Sequence, residues 1–121
     1  TGLVDFLDIS LWDSFKQPDL VEYQDKSLLT HFTDLDLKKT LLTVAGKIFT
    51  AADVSKVLVA GADFVTIGRA AILHHDFPKL VLNNPGFISI KPPVPRNYLA
   101  DQGLGDEFID YMHRRGDFVK D

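Results

Sequence analysis

Hydrophobic residues along this chain gather into short continuous runs, which alternate with segments whose apolar positions follow helical spacing. Three of the runs predict β-strands, at Val4–Ser10, Thr40–Ala45 and Asp63–Ile67. The second and third runs are continuously apolar, which is typical of strands buried on both faces of a parallel sheet. Asp5–Ser10 also resembles Asp63–Gly68, which indicates either a repeated strand–helix unit or a chance recurrence.

The segments between the strands predict helices. Apolar residues from Leu28 to Leu35 share one helix face behind Asp25–Ser27, which can cap the first turn. A second helix is predicted over Ala52–Val59, with Thr50 as its N-cap and Gly61 as the glycine that ends it. Because one helix connects two buried strands, this part of the chain predicts a parallel β–α–β unit and an α/β fold.

The rest of the chain is less regular. Leu11–Asp25 is polar and contains a proline, so it predicts an ordered loop. Lys91–Pro95 predicts an extended, polyproline-like crossing, and Asp106–Arg115 predicts a last helix. Because a parallel sheet needs cover on both faces, we expect the fold to be completed by further chain or by self-association of identical copies.

Composition narrows the classes of function. With 13 Lys and Arg against 17 Asp and Glu, the net charge of −4 argues against a general nucleic-acid or anionic-membrane partner. The absence of cysteine excludes disulfides, Cys-ligated zinc and a thiol nucleophile. No apolar run reaches the roughly 18–20 residues that span a bilayer, and no secretory signal pattern is visible, so a cytoplasmic location is predicted.

Two loops carry the residues best suited to binding a ligand. Gly46 and Lys47 follow the second predicted strand, and Gly68 and Arg69 follow the third, so both loops lie at the carboxyl edge of a parallel sheet, where such folds bind ligands. Glycine lets backbone N–H groups approach an anion, a following helix adds its first N–H groups, and arginine can bind two phosphate oxygens. The pattern predicts a phosphate site; the alternative is two tight turns and a surface arginine.

The segment Thr43–Leu80, TVAGKIFTAADVSKVLVAGADFVTIGRAAILHHDFPKL, resembles the end of the Old Yellow Enzyme family, the FMN-dependent NADH:flavin oxidoreductases. In that family a glycine-containing loop follows strand 7, and strand 8 is similar to GADFVTIGR here. The tail PPVPRNYLADQGLGDEFIDYM is similar to that of one branch of the family. The resemblance implies the C-terminal βα units, about strands 6–8, of a TIM (β/α)8 barrel, with phosphate-binding units in residues 40–80 and a C-terminal tail and helix in residues 84–121.

Carried over residue by residue, the resemblance implies that the backbone N–H groups of Gly46 and Lys47 bind the phosphate of FMN, and that Gly68 and Arg69 complete the site. It also implies an oxidoreductase that passes hydride from NAD(P)H through the flavin to an electron-poor alkene or similar small-molecule acceptor. The family's catalytic His pair and Tyr come from earlier strands, so no catalytic residue is assigned here. We therefore expect this segment to be about the last third of an enzyme and to be inactive alone.

The sequence departs from the family pattern at two places. Lys47 stands where the family usually has Gly or Asn, and His74-His75-Asp76 replaces the usual Asp-Pro. Two other interpretations stay open. The chain could be a non-catalytic half-barrel that binds a phosphate-bearing ligand or assembles with a partner, or it could be another phosphate-binding barrel enzyme, such as a dihydroorotate dehydrogenase or an isomerase.

A few further residues are weaker candidates. Adjacent His74 and His75 face different directions on a helix, so they predict surface or capping roles rather than a shared metal. Asp8 and Ser10, near the end of the first strand, are candidate ligand-facing groups. Trp12 either covers the mouth of a barrel or fills the core of its loop.

Overall fold

A three-stranded parallel sheet forms the centre of the computed structural model, which describes residues 3–121. Its strands are β1 (Phe6–Ser10), β2 (Leu41–Ala45) and β3 (Phe64–Val65), in the spatial order β1-β2-β3. Both pairings are parallel and run in unbroken register. The three predicted strands and the mixed α/β class are confirmed, although β3 is shorter than predicted. In the sequence, a glycine precedes each of the two similar strands, Gly2 before the first and Gly61 before the third. Gly2 lies outside the described residues.

Two helices cover one face of this sheet, and the N-cap of each lies where the sequence predicts it. Helix α1 (Leu28–Thr33) follows Ser27, whose hydroxyl accepts a hydrogen bond from the Thr30 N–H. Helix α2 (Ala51–Val59) follows Thr50, which forms a capping box with Asp53. The strands and helices together bury an apolar core made of Ile9, Leu11, Leu29, Leu42, Val44, Ile48, Val57 and Ala62. Burial of aliphatic side chains of this size stabilises a fold by roughly 1.5–3 kcal/mol each.

The opposite face of the sheet is open in residues 3–121. Phe6, Leu41 and Phe64 are 52%, 47% and 38% exposed on this face, and the two phenylalanine rings contact each other edge to face at 5.6 Å. Nearer the carboxyl edge the face becomes polar: the Thr66 hydroxyl lies 3.0 Å from that of Thr43 and donates a hydrogen bond to an Asp8 carboxylate oxygen at 3.4 Å. The three strands form an open sheet and not a closed barrel.

The C-terminal part builds a second core. Helices α3 (Arg69–Leu73) and α4 (Phe77–Asn83) follow β3. A short parallel pair, β4 (Val94–Pro95) and β5 (Val119–Lys120), encloses α5 (Arg96–Asp101) and α6 (Asp106–Arg114). The buried residues of this core are Leu73, Val94, Leu99, Ile109, Phe118 and Val119.

Helix α6 confirms the prediction for the end of the chain, whereas α5 and β5 were not predicted. The three prolines of Lys91–Pro95 suggested only extended chain, but proline is compatible with a helix start, and Pro95 is the N-cap of α5. None of the helices in residues 3–121 is both long enough and apolar enough to cross a bilayer.

Candidate functional site

The loops after β2 and β3 open onto one cavity of about 410 Å³ at the carboxyl edge of the sheet. All four residues predicted from the sequence line this cavity: Gly46, Lys47, Gly68 and Arg69. The other lining residues come from the end of β1 and from the same loops, and they are Ser10, Trp12, Ala45, Ile48, Phe49 and Thr66. The parallel register of the strands thus brings together two loops that are about twenty residues apart in the chain.

Backbone donors are available on both loops. Among residues 3–121, no main-chain acceptor takes a hydrogen bond from the N–H groups of Gly46, Lys47, Gly68 or Arg69. Free N–H groups around a concave surface are the donors that phosphate oxygens need. Because α3 has only five residues, its macrodipole is small, and an anion here would depend on these individual N–H groups and on Arg69.

Arg69 carries a positive charge that no carboxylate in the described chain neutralises. Its guanidinium lies over the ring of Phe49, 5.4 Å from the ring centroid, and it takes part in none of the ion pairs among residues 3–121. Stacking on an aromatic face orients the guanidinium plane without using its N–H donors. The side chain can therefore offer two parallel N–H groups to a phosphate.

Lys47 is turned toward the neighbouring loop. Its Nζ lies 3.1 Å from Oδ2 of Asp13, and its backbone has a φ of 51°. This left-handed conformation favours glycine or asparagine over a residue with a long side chain such as lysine. The pKa of Asp13 is lowered, first by the hydrogen bond from the Phe15 N–H and then by Lys47.

Gly46 has a different reason to be glycine than the one the sequence suggested. A Cβ at this position would lie 2.9 Å from the carbonyl carbon of Trp12 and 3.0 Å from the Asp13 nitrogen, so the close approach is to the backbone of the preceding loop. The Gly46 carbonyl accepts hydrogen bonds from the Ser14 N–H at 3.1 Å and from the Ser14 hydroxyl at 2.8 Å. Ser14 was missed by sequence reasoning, since no local pattern links it to a glycine 32 residues later.

Some of the other polar and aromatic residues at the strand ends line the cavity, and others do not. Trp12 is 78% exposed and lines the cavity, so the suggestion that it fills the core of its loop is wrong. Ser10 lines the cavity as well, whereas Asp8 lies further down the strand and accepts a hydrogen bond from Thr66. Asp63, at the start of the third strand, accepts a hydrogen bond from the Leu42 N–H at 2.7 Å and has a structural role.

The two adjacent histidines have different partners in the structure. The ring of His74 is 9% exposed and lies edge to face against Phe87, and its Nε2 accepts a hydrogen bond from the Ile90 N–H at 3.3 Å. His75 lies at the surface and bonds Gln102 instead. Of the two roles expected for His74, the capping role agrees with its C-cap position on α3, and the surface role does not, because its ring is buried. No group of three or more metal-binding side chains occurs in residues 3–121.

Comparison with known proteins finds no relative of this chain. No family model, no curated protein and no solved structure matches this chain. The cavity geometry and the sequence resemblance are thus the two grounds on which a function can be proposed.

Two glycine substitutions test the close approach at Gly46. Gly46→Ala should destabilise the protein by about 1–3 kcal/mol, because a Cβ meets backbone atoms and the φ of 147° is unfavourable for alanine. Gly103→Ala is the control and should cost less, since Gly103 also has a positive φ, of 86°, but a Cβ there meets nothing within 4 Å. Urea denaturation gives both free energies of unfolding. Equal losses in the two variants would contradict the close approach at Gly46.

Burial of His74 gives stability a pH dependence. Burial lowers the pKa of His74 below its ordinary value of 6.5, against a smaller opposing effect from Asp76. The unfolded chain therefore binds the proton more readily, and the free energy of unfolding should fall as the pH drops through about 6.5 toward the folded-state pKa.

His74→Gln should reduce that slope, because the amide does not titrate. His75→Gln is the control, since its ring is at the surface. The measurement is the free energy of unfolding across this pH range. A slope that is the same in His74→Gln and in the wild type would show that another group is responsible.

Proposed function

We propose that this chain supplies the phosphate-binding loops of a cytoplasmic, FMN-dependent oxidoreductase, with β1, β2 and β3 as about strands 6–8 of a TIM barrel. The observation that carries the proposal is that Gly46, Lys47, Gly68 and Arg69 line one cavity. Their N–H groups lack main-chain acceptors in residues 3–121, and the arginine lacks a carboxylate partner there. The resemblance of residues 43–80 to the Old Yellow Enzyme family supports FMN as the phosphate ester.

The lining residues suit the phosphate end of FMN. The N–H groups and the Arg69 guanidinium are donors for phosphate oxygens, and a charge-assisted hydrogen bond of this kind contributes roughly 1.5–3 kcal/mol. The aromatic and aliphatic walls formed by Trp12, Ile48 and Phe49 suit the uncharged remainder of the cofactor. When bound, FMN would carry hydride between NAD(P)H and an electron-poor alkene or similar acceptor. The residues of this chain would bind and orient the cofactor, and none of them is assigned a catalytic role.

Replacement of Arg69 tests the phosphate role. Arg69→Ala should weaken the binding of FMN at least tenfold and leave the binding of riboflavin unchanged, because only FMN has a phosphate. Amide resonances of the 121-residue chain, followed during titration with each flavin, give both affinities even where binding is weak. Arg96→Ala is the control, because Arg96 pairs with Asp110 in the second core region.

If Arg69→Ala weakens the binding of FMN and of riboflavin equally, the phosphate role of Arg69 is overturned. Equal affinity for FMN and inorganic phosphate would favour instead a barrel that binds phosphate-bearing ligands without a flavin.

A non-catalytic role in assembly is the second candidate, and the open sheet face favours it. Phe6, Leu41 and Phe64 expose apolar surface on one face, and such patches are typical of contact sites. We propose that copies of the 121-residue chain associate through this face.

Sedimentation velocity should then find the wild-type chain as a dimer or larger species. Phe6→Ser should shift it toward monomer, because the exposed ring contributes contact area and little to the folded core. Val21→Ser, in a single 3-10 turn (Val21–Tyr23) where this side chain is 82% exposed, should not. A monomeric wild type at tens of micromolar would contradict association through the sheet face.

A further inference from the structure

Ser14 lies behind the candidate phosphate site and does not line it. Its side chain is 1% exposed, and its Oγ and N–H both donate hydrogen bonds to the carbonyl oxygen of Gly46, at 2.8 and 3.1 Å. Ser14 lines a separate cavity beneath the loop together with Phe15 and Leu29. Two donors on one carbonyl fix the direction of the peptide group that joins Gly46 to Lys47.

That direction determines which group the peptide presents to the ligand cavity. In a trans peptide the C=O and the following N–H point in opposite directions, and this peptide is trans. Since the Gly46 carbonyl points at Ser14, the Lys47 N–H points away from Ser14. Gly46 and Lys47 line the ligand cavity, whereas Ser14 does not. We infer that Ser14 is a positioning residue whose two hydrogen bonds hold the Lys47 N–H toward the phosphate of the ligand; this inference rests on the proposed phosphate site.

The observed orientation is strained, so it needs to be held. Lys47 has a φ of 51°, which is unfavourable for a residue with a side chain. A flip of the peptide by half a turn would bring this φ to about −130°, and a negative φ removes the crowding of the Lys47 Cβ against the backbone that a positive φ causes. Gly46 can absorb the accompanying change in ψ, because it has no Cβ. The Lys47–Asp13 ion pair is too exposed to prevent the flip by itself.

A flipped peptide would alter the chemistry of the site. The Gly46 carbonyl oxygen would face the cavity where the Lys47 N–H now lies, and a carbonyl dipole in that direction repels phosphate. Ser14 therefore selects a donor over an acceptor at one position of the site. The predicted consequence is that loss of the Ser14 hydroxyl weakens the binding of an anion that Ser14 does not contact.

The experiment uses the 121-residue chain, with inorganic phosphate and FMN as probes. Ser14→Ala should weaken the binding of both probes by roughly tenfold. The three-bond coupling between the amide and α protons of Lys47 should move to the value for a φ of about −130°. Ser89→Ala is the matched control: Ser89 is also buried, and its hydroxyl donates to the Ile90 carbonyl at 2.9 Å, away from the cavity. This variant should keep both affinities and the Lys47 coupling.

A second substitution tests the strain directly. Lys47→Gly removes the side chain that makes a positive φ unfavourable, so Ser14→Ala should cost less affinity in the Lys47→Gly background than in the wild type. Ser14→Cys keeps a similar side-chain volume and a weak hydrogen-bond donor, so its affinity for both probes should be intermediate. This variant replaces Ser14→Ala in the test if the amide spectrum of Ser14→Ala is not that of a folded protein.

The outcomes separate this inference from the proposed function. Phosphate binding by the wild type, with an unchanged affinity and an unchanged Lys47 coupling in Ser14→Ala, would overturn the role of Ser14 and leave the proposed site standing. No binding of phosphate or FMN by the wild type, with the Lys47 coupling still altered by Ser14→Ala, would overturn the proposed function and support the control of peptide orientation. Weakened binding together with an altered coupling supports both.

Discussion

The contact between the backbone of Gly46 and the backbone of Trp12–Ser14 is the constraint on which the candidate site depends. It joins the end of β1 to the end of β2 just beyond their last paired residues, and the Leu11 N–H continues the ladder to the Ala45 carbonyl at 2.9 Å. Two residues beside the contact have left-handed backbones, Trp12 with a φ of 62° and Lys47 with a φ of 51°. Each such residue costs of order 1–3 kcal/mol, so this conformation persists only because neighbouring hydrogen bonds hold it.

The two faces of the sheet differ in packing and in polarity. One face is covered by α1 and α2 and supplies most of the burial, which keeps the strand ends in fixed positions. The other face is apolar near Phe6 and Phe64 and polar near Thr66 and Asp8, and the cavity lies beyond its polar end. Rigid strands that end in irregular loops are the usual way in which α/β folds combine a stable frame with a ligand site.

Local patterns in the sequence were enough to predict the strands, the N-cap at Thr50 and the meeting of the two glycine loops, because each depends on residues close in the chain or on the geometry of parallel strands. Helix α5 was missed since the prolines before it conceal a helix start. The burial of His74 and the hydrogen bonds from Ser14 to Gly46 could not be predicted, because both depend on contacts between distant segments. The reason for glycine at position 46 was also misjudged: it is needed by the protein backbone, whatever the ligand.

Most donors of the candidate site belong to the backbone, and this explains how the loop can carry Lys47 where a small residue would be less strained. A backbone N–H is the same group in every residue, so the side chain is free to change provided that the peptide keeps its orientation. In the proposed site only Arg69 would offer an unpaired side-chain charge to an anion, since the Lys47 ammonium pairs with Asp13. In the proposed site, recognition of phosphate would thus rest on loop geometry and one arginine, while any preference for a flavin would come from groups further along the cavity walls and the open sheet face. An affinity that distinguishes FMN from other phosphate esters would therefore measure those walls and not the phosphate loops.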